Sequence, residues 1–180
     1  IKGKSIGRFS IKESYYFDLQ SKNIGGGTSD ISKLKIKEKI LLRKTGIPIV
    51  ATYDINGLIP EQSLYFIYNL DKDLDPLYLL GLLNSNLIGW FAINCLYTNL
   101  ESMPQLKIAD INQIPIRVAN QKDQKIISDM IKRILENPDD TSNPGLENDI
   151  NNKIYEIYKI SQDEVRFINN EYNEKFVKPK

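Results

Sequence analysis

The 180 residues are enough for one domain with a real core. The net charge of +1 leaves no global basic footprint. With no histidine and one cysteine, Cys95, the chain cannot hold a Ser-His-Asp or Cys-His mechanism, an internal disulfide or a cysteine-rich zinc site.

Residues 1–20 read as two short extended pieces around Ile6-Gly7-Arg8-Phe9, with Tyr15, Tyr16 and Phe17 as a strand-like aromatic cluster. Asn23 to Asp30, NIGGGTSD, is a flexible loop, since three consecutive glycines hold neither helix nor strand. It lacks the spacing of a nucleotide P-loop and reads either as a surface connection or as a close approach to a phosphate. Lys39 to Arg43, KILLR, predicts a strand with a basic residue at each end. Thr45-Gly46 turns the chain into Ile47 to Tyr53, and Asn56-Gly57 turns it again into Ser63 to Tyr68. Three strands on short turns predict an antiparallel meander.

Asp75-Pro76 fits a helix start, with aspartate at the cap and proline at the first position. Leu79, Leu80, Leu83, Leu87 and Trp90 then recur at helical spacing. The apolar run Leu77 to Leu96 is broken by Asn84, Ser85, Asn86, Gly89 and Asn94, which favours a buried helix over a membrane span of about 20 apolar residues. The pair Asn84-Ser85 reads as satisfying backbone groups or allowing close packing. Gln105 to Ile108 and Ile114 to Val118 are expected to be extended. Ile127, Ile131 and Ile134 stripe one helix, and Leu146, Ile150, Ile154 and Ile157 another. Between them Asn137 to Gly145 reads as a linker. Ser161 to Glu164 is a capping box that starts a last helix.

The expected architecture is α/β in the α+β sense. It has a mixed, largely antiparallel sheet with one long buried helix, followed by a helical C-terminal tail. Residues 1–118 are expected to form the core and 119–180 a helical region packed on it. Ile1 in place of Met, with no signal-like segment after it, points to a piece of a longer protein. The lone cysteine fits a reducing cytoplasm.

Charge is unevenly spread. Residues 1–48 carry 11 Lys/Arg against 4 Asp/Glu, residues 49–118 carry 3 against 7, and residues 119–180 carry 10 against 12. A basic N-terminal third is either a solvated face or a phosphate-contacting one. The alternating Asp71, Asp73 and Asp75 and the pair Asp139-Asp140 lie in loops, so capping and solubility explain them better than a metal-dependent nuclease site.

Four stretches together resemble the TaqI-like C-terminal specificity domain of adenine-specific DNA methyltransferases and fused restriction–modification enzymes. They are IKGKSIGRF (1–9), KILLRKTGIPIVATYD (39–54), LLGLLNSNLIGWF (79–91) and MPQLKIADINQIPI (103–116). The tail LENDINNKIYEIYKISQDEV is similar to the family's closing helical pair. The resemblance implies a non-catalytic target-recognition domain that grips double-stranded DNA opposite a methyltransferase domain of the same parent chain, with no membrane. S-adenosylmethionine, the Asn-Pro-Pro-Tyr motif and any magnesium would belong to parts absent here. The two Asn-Pro pairs of this sequence are followed by Asp139 and Gly145.

Base edges are read by Arg or Lys at guanine and by Asn or Gln at adenine, while Lys, Arg, Ser and Thr hold phosphates. The candidates are Arg43, Lys44 and Thr45 at the hairpin turn, with Lys39 on the same strand. Thr28 and Ser29 end the glycine loop, Tyr97, Thr98 and Asn99 follow the long helix, and Lys107 precedes the last extended piece. The rival readings are a helical protein-docking module and a nuclease fragment.

Overall fold

In the computed structural model of the chain, the described residues are 1–16, 18, 20, 27–98, 100 and 103–176. A two-residue hairpin comes first, β1 (Ile6–Gly7) with β2 (Ser10–Ile11). The short helix α1 (Ile31–Leu34) follows, capped by the Asp30 carboxylate on the amides of Ser32 and Lys33. The main sheet holds β3 (Lys39–Arg43), β4 (Ala51–Asp54) and β5 (Leu64–Ile67). The predicted strand KILLR is central and buried on both faces. Ile40 and Leu42 enter the large core, and Leu41 packs in a smaller cluster with Ile6 and Leu64.

The three strands do not form a meander. Their order is β4–β3–β5, antiparallel in both pairings, with Leu42 opposite Ala51 and Arg43 opposite Leu64. The outer edge of β4 is already taken at Ala51. Its carbonyl accepts from the Phe9 amide at 3.0 Å and the Asn84 Nδ2 at 2.9 Å, and its amide donates to Asn84 Oδ1 at 3.0 Å. The other side of β3 is therefore the open place for β5. Tyr15 and Tyr16 are exposed and outside any strand. Phe17 lies outside the described residues.

The apolar run is two helices, α2 (Pro76–Leu83) and α3 (Asn86–Phe91), bent by 51° and continued by a π-helical turn over Ala92–Leu96. Asp75 caps α2 as its sequence predicts, accepting from the amides of Leu77 and Tyr78. Ser85 serves both sides of the break: its hydroxyl donates to the Leu82 carbonyl and accepts from the Ile88 amide. No single helix among the described residues is long and apolar enough to cross a membrane.

The extended pieces expected beyond α3 are shorter. Gln105 makes one isolated bridge, to Thr45, and α4 (Ile108–Ile111) begins directly after Lys107. Ile114 to Val118 is not a strand. The Arg117 carbonyl accepts from the Tyr78 hydroxyl, the Arg117 amide donates to the Tyr158 hydroxyl, and that hydroxyl donates to the Pro115 carbonyl. Tyrosine hydroxyls thus bond this backbone where no partner strand does.

The tail folds as predicted by its periodicity into α5 (Gln121–Glu136), α6 (Asn143–Tyr158) and α7 (Gln162–Phe176). The expected linker is shorter than Asn137–Gly145, because α6 starts at Asn143 with Pro144 in its first turn. The isoleucine stripes of α5 and α6 join α2 and α3 in one cluster. Gly81 and Gly89 permit this closeness: a Cβ at Gly81 would lie 2.9 Å from Ile127, and one at Gly89 2.6 Å from the Tyr172 ring.

The break at Asn84 ties these layers together. Replacing Asn84 with alanine orphans the buried amide contact with β4 and costs on the order of 3 kcal/mol, at about 1–3 kcal/mol per unsatisfied group. Urea denaturation measures this, and a loss below about 1 kcal/mol would contradict the role given to Asn84.

Candidate nucleic-acid interface

The turn after β3 is held from three sides. The Lys44 amide donates to the Ser63 carbonyl at 3.1 Å, and the Lys44 carbonyl accepts from the Leu106 amide at 2.9 Å. The Gly46 amide donates to the Pro104 carbonyl at 2.9 Å, and the Tyr97 hydroxyl donates to the Gly46 carbonyl at 3.0 Å. Gly46 sits at φ +95°, a conformation that favours glycine. Residues 43–46 and 104–107 therefore form one rigid platform at the Arg43 end of the sheet, although some 60 residues separate them in sequence.

Two cations of this platform differ in their support. The Lys44 ammonium stands 4.5 Å from the centroid of the Tyr65 ring, whose hydroxyl donates to the Leu106 carbonyl at 3.3 Å. Arg43 forms no ion pair among the described residues, and its Nε is buried without a hydrogen-bond partner. A terminal nitrogen of Arg43 passes 3.6 Å from the place where a Cβ at Gly46 would sit, so the guanidinium lies along the turn. It is close enough to Tyr97 to pull that phenol's pKa down slightly, against the larger upward push of burial. An arginine without a carboxylate is available to a ligand that accepts two parallel hydrogen bonds.

The other predicted residues divide. Thr45 is half-buried and bridged to Gln105, Thr98 and Lys107 are exposed, and Lys107 caps α4 through its amide on Asp110. Tyr97 is buried and acts through its hydroxyl on the turn, as a support and not as a surface contact. Asn99 lies outside the described residues.

Lys39 is a correction. Its side chain and that of Asp54 are both 0% exposed, with Nζ–Oδ2 at 2.7 Å and a second bond from Nζ to the Ile36 carbonyl. Asp54 also accepts from the amides of Asn56 and Leu58. This ammonium cannot reach a ligand. Thr28 and Ser29 are not part of the platform either. They lead into α1, and the Lys35 carbonyl just beyond that helix packs against Gly57, at the opposite, Lys39 end of the sheet.

Sequence reasoning missed Gln105. It is exposed, and its bridge sets it beside Thr45. Met103 and Ile108 flank it as exposed apolar side chains. The acidic positions are spent elsewhere. Asp75 caps α2 and takes the Ser128 hydroxyl, Asp71 takes the Asp73 amide, and Asp140 takes the Ser142 amide. No cluster of three His, Cys, Asp or Glu side chains that could hold a metal ion occurs among the described residues.

With this geometry, residues 1–116 match the model of the TaqI-like C-terminal specificity domain. The chain belongs to that family. The specificity-domain match covers the sheet, the platform and α2 to α4, and ends before α5. A solved structure of the type IIL restriction–modification enzyme MmeI in complex with DNA shares the fold, with a TM-score of 0.59 at 15% identity over 81% of this chain. The chain corresponds to 22% of that enzyme's length. No curated protein matches.

Removal of the Lys39 side chain tests the correction. Lys39→Ala leaves Asp54 buried and unpaired, at a cost of about 3–5 kcal/mol. Its folded fraction is expected to show an unchanged salt dependence of DNA binding. A fully stable variant with weaker salt dependence would return Lys39 to the surface contacts.

Proposed function

We propose that this chain is the DNA target-recognition domain of a prokaryotic, cytoplasmic restriction–modification enzyme. In that role it grips double-stranded DNA and chooses the sequence at which other domains of the same parent methylate adenine at N6. S-adenosylmethionine, and magnesium where the parent also cuts, would be bound by those domains. The observation that carries the reading is the platform: a rigid turn carrying an arginine with no ion-pair partner among the described residues, beside an exposed glutamine and two lysines.

The chemistry divides the work. Arg43 suits the O6 and N7 of guanine, Gln105 suits the N6 and N7 of adenine, and Lys44, Lys107, Thr45 and Thr98 suit phosphate oxygens. Family membership supports the specificity role, and the structural likeness to MmeI supports the fold.

The rivals lose ground on physical points. The apolar stripes that a docking module would offer to a partner, Ile127, Ile131 and Ile134 on α5 and Ile150 and Ile154 on α6, are buried in the chain's own core. Of the carboxylates a nuclease would need, Asp75 caps α2, and Asp71 and Asp140 each accept an amide of their own turn.

Affinities for a panel of duplexes differing at single base pairs test the division. Arg43→Ala is expected to lose about 1–3 kcal/mol of discrimination at one position, whereas Lys44→Ala weakens binding to every duplex alike. Unchanged specificity in the Arg43 variant would remove it as a base reader.

A further inference from the structure

The first residues of the chain carry charge that the platform does not use. Lys2 and Lys4 are exposed and flank the buried Gly3. Gly3 opens a single 3-10 turn, closed by the Ser5 amide on the Lys2 carbonyl at 3.0 Å. Its own amide donates to the Ser63 hydroxyl at 2.8 Å. A Cβ on Gly3 would lie 3.2 Å from both the Ser63 carbonyl oxygen and its hydroxyl, so only glycine allows this approach without displacement.

Ser63 is also the residue that anchors the platform, because the same carbonyl oxygen accepts from the Lys44 amide. One serine thus joins Gly3 to Lys44, 41 positions on in the sequence. Its carbonyl holds the Arg43–Lys44 turn and its hydroxyl holds the turn between Lys2 and Lys4. The hairpin that follows is fixed against the sheet by the Phe9 amide on Ala51, and the Lys12 amide returns to the Ser5 carbonyl at 2.8 Å. The segment therefore has a defined position at the Arg43 end of the sheet.

The charges around this junction are unbalanced. Lys2 and Lys4 act on Glu13, and Lys2 also on Glu61, while Arg43 and Lys44 add two further cations at the same Ser63 junction. Both acids are committed to hydroxyl donors. Glu13 accepts from Ser5, and its carboxyl lies below the ordinary range chiefly through a hydrogen bond from Tyr15. Glu61 is lowered chiefly by the Ser63 hydroxyl. Lys2 stands 5.7 Å from the centroid of the Tyr15 ring, and neither Lys2 nor Lys4 makes an ion pair among the described residues.

We propose that Lys2 and Lys4 form a second, sequence-independent contact with the phosphate backbone of a DNA duplex, set beside the base-reading turn by Gly3 and Ser63. The proposal rests on the DNA-recognition reading above. The occupant is a duplex backbone because the residues are ammonium groups on a fixed main chain, with no apolar pocket and no planar fork for base edges. Such groups bind phosphates as point charges and release counterions in doing so. Their place next to Arg43 and Lys44 gives a two-segment grip, in which one segment reads and the other holds register.

The test is the salt dependence of binding by the 180-residue chain to a labelled duplex of random sequence, measured by fluorescence anisotropy from low to moderate salt. Lys2→Ala/Lys4→Ala is expected to flatten the slope of log K against log salt by about 1.8, since each phosphate contact contributes about 0.9. Lys2→Glu/Lys4→Glu is expected to flatten it further. Both variants alter exposed side chains only, and circular dichroism checks that they fold. Lys125→Ala/Lys132→Ala, on α5 and already paired with Asp129 and Glu136, is the control and is expected to keep the wild-type slope. A wild-type slope in the Lys2/Lys4 variants, alongside a reduced slope in Arg43→Ala/Lys44→Ala, would overturn this proposal and leave DNA recognition standing. Equal flattening by the α5 control would overturn it in favour of diffuse charge. Absence of salt-sensitive binding by the wild-type chain would overturn both.

Discussion

The side-chain amide of Asn84 exchanges two hydrogen bonds with the backbone of Ala51, and the layers of the molecule meet around that contact. It closes the outer edge of β4 with a side chain, where an open edge would invite another strand. The residue that does this also sits at the break between α2 and α3. Its carbonyl accepts from Arg8, which pairs with Glu147 of α6 at 2.7 Å. Two residues on, the Asn86 amide donates to Asn151 of α6, and its side chain donates to Asn169 of α7. Three consecutive polar residues thus link the N-terminal hairpin, the sheet and the helical tail. The short run Asn84-Ser85-Asn86 is scaffold.

That scaffold has a consequence for the opposite end of the sheet. With β4 closed by Asn84 and Phe9, β3 becomes the central strand, and its end carries Arg43 and Lys44 out between β5 and the 104–107 segment. Ser63, Leu106, Pro104 and Tyr97 then fix the turn through its backbone, so the Arg43 and Lys44 side chains take no part in those bonds. The other end of the sheet is spent on stability. Lys39 and Asp54 form a buried pair there, and Asp54 also organises the next turn through Asn56 and Leu58. One strand therefore ends in two basic residues with opposite fates, decided by the presence of an acid across the ladder.

Much of this was legible in the chain. The strand KILLR, the cap at Asp75-Pro76, the isoleucine stripes of α5 and α6 and the box at Ser161 to Glu164 are local signals, and local signals survive folding. So was the backbone role of Asn84-Ser85, since a polar pair in an apolar run must find partners. What escaped depends on distant residues. Nothing within KILLR distinguishes Lys39 from Arg43; the partner that buries Lys39 lies 15 residues on. The strand order turned on which edge of β4 was already occupied, a fact residing in Phe9 and Asn84. Gln105 gained its place from a bridge across 60 residues, and Ile114 to Val118 stayed out of any sheet because Tyr78 and Tyr158 satisfy its backbone.

The proposed function requires that this chain discriminate between base sequences. Selection from a pool of randomised DNA duplexes by the 180-residue chain, with sequencing of the bound fraction, tests it most directly. Enrichment of one short motif is expected at a salt concentration where the chain still binds. Salt-sensitive binding with no motif enriched over the input pool would contradict it.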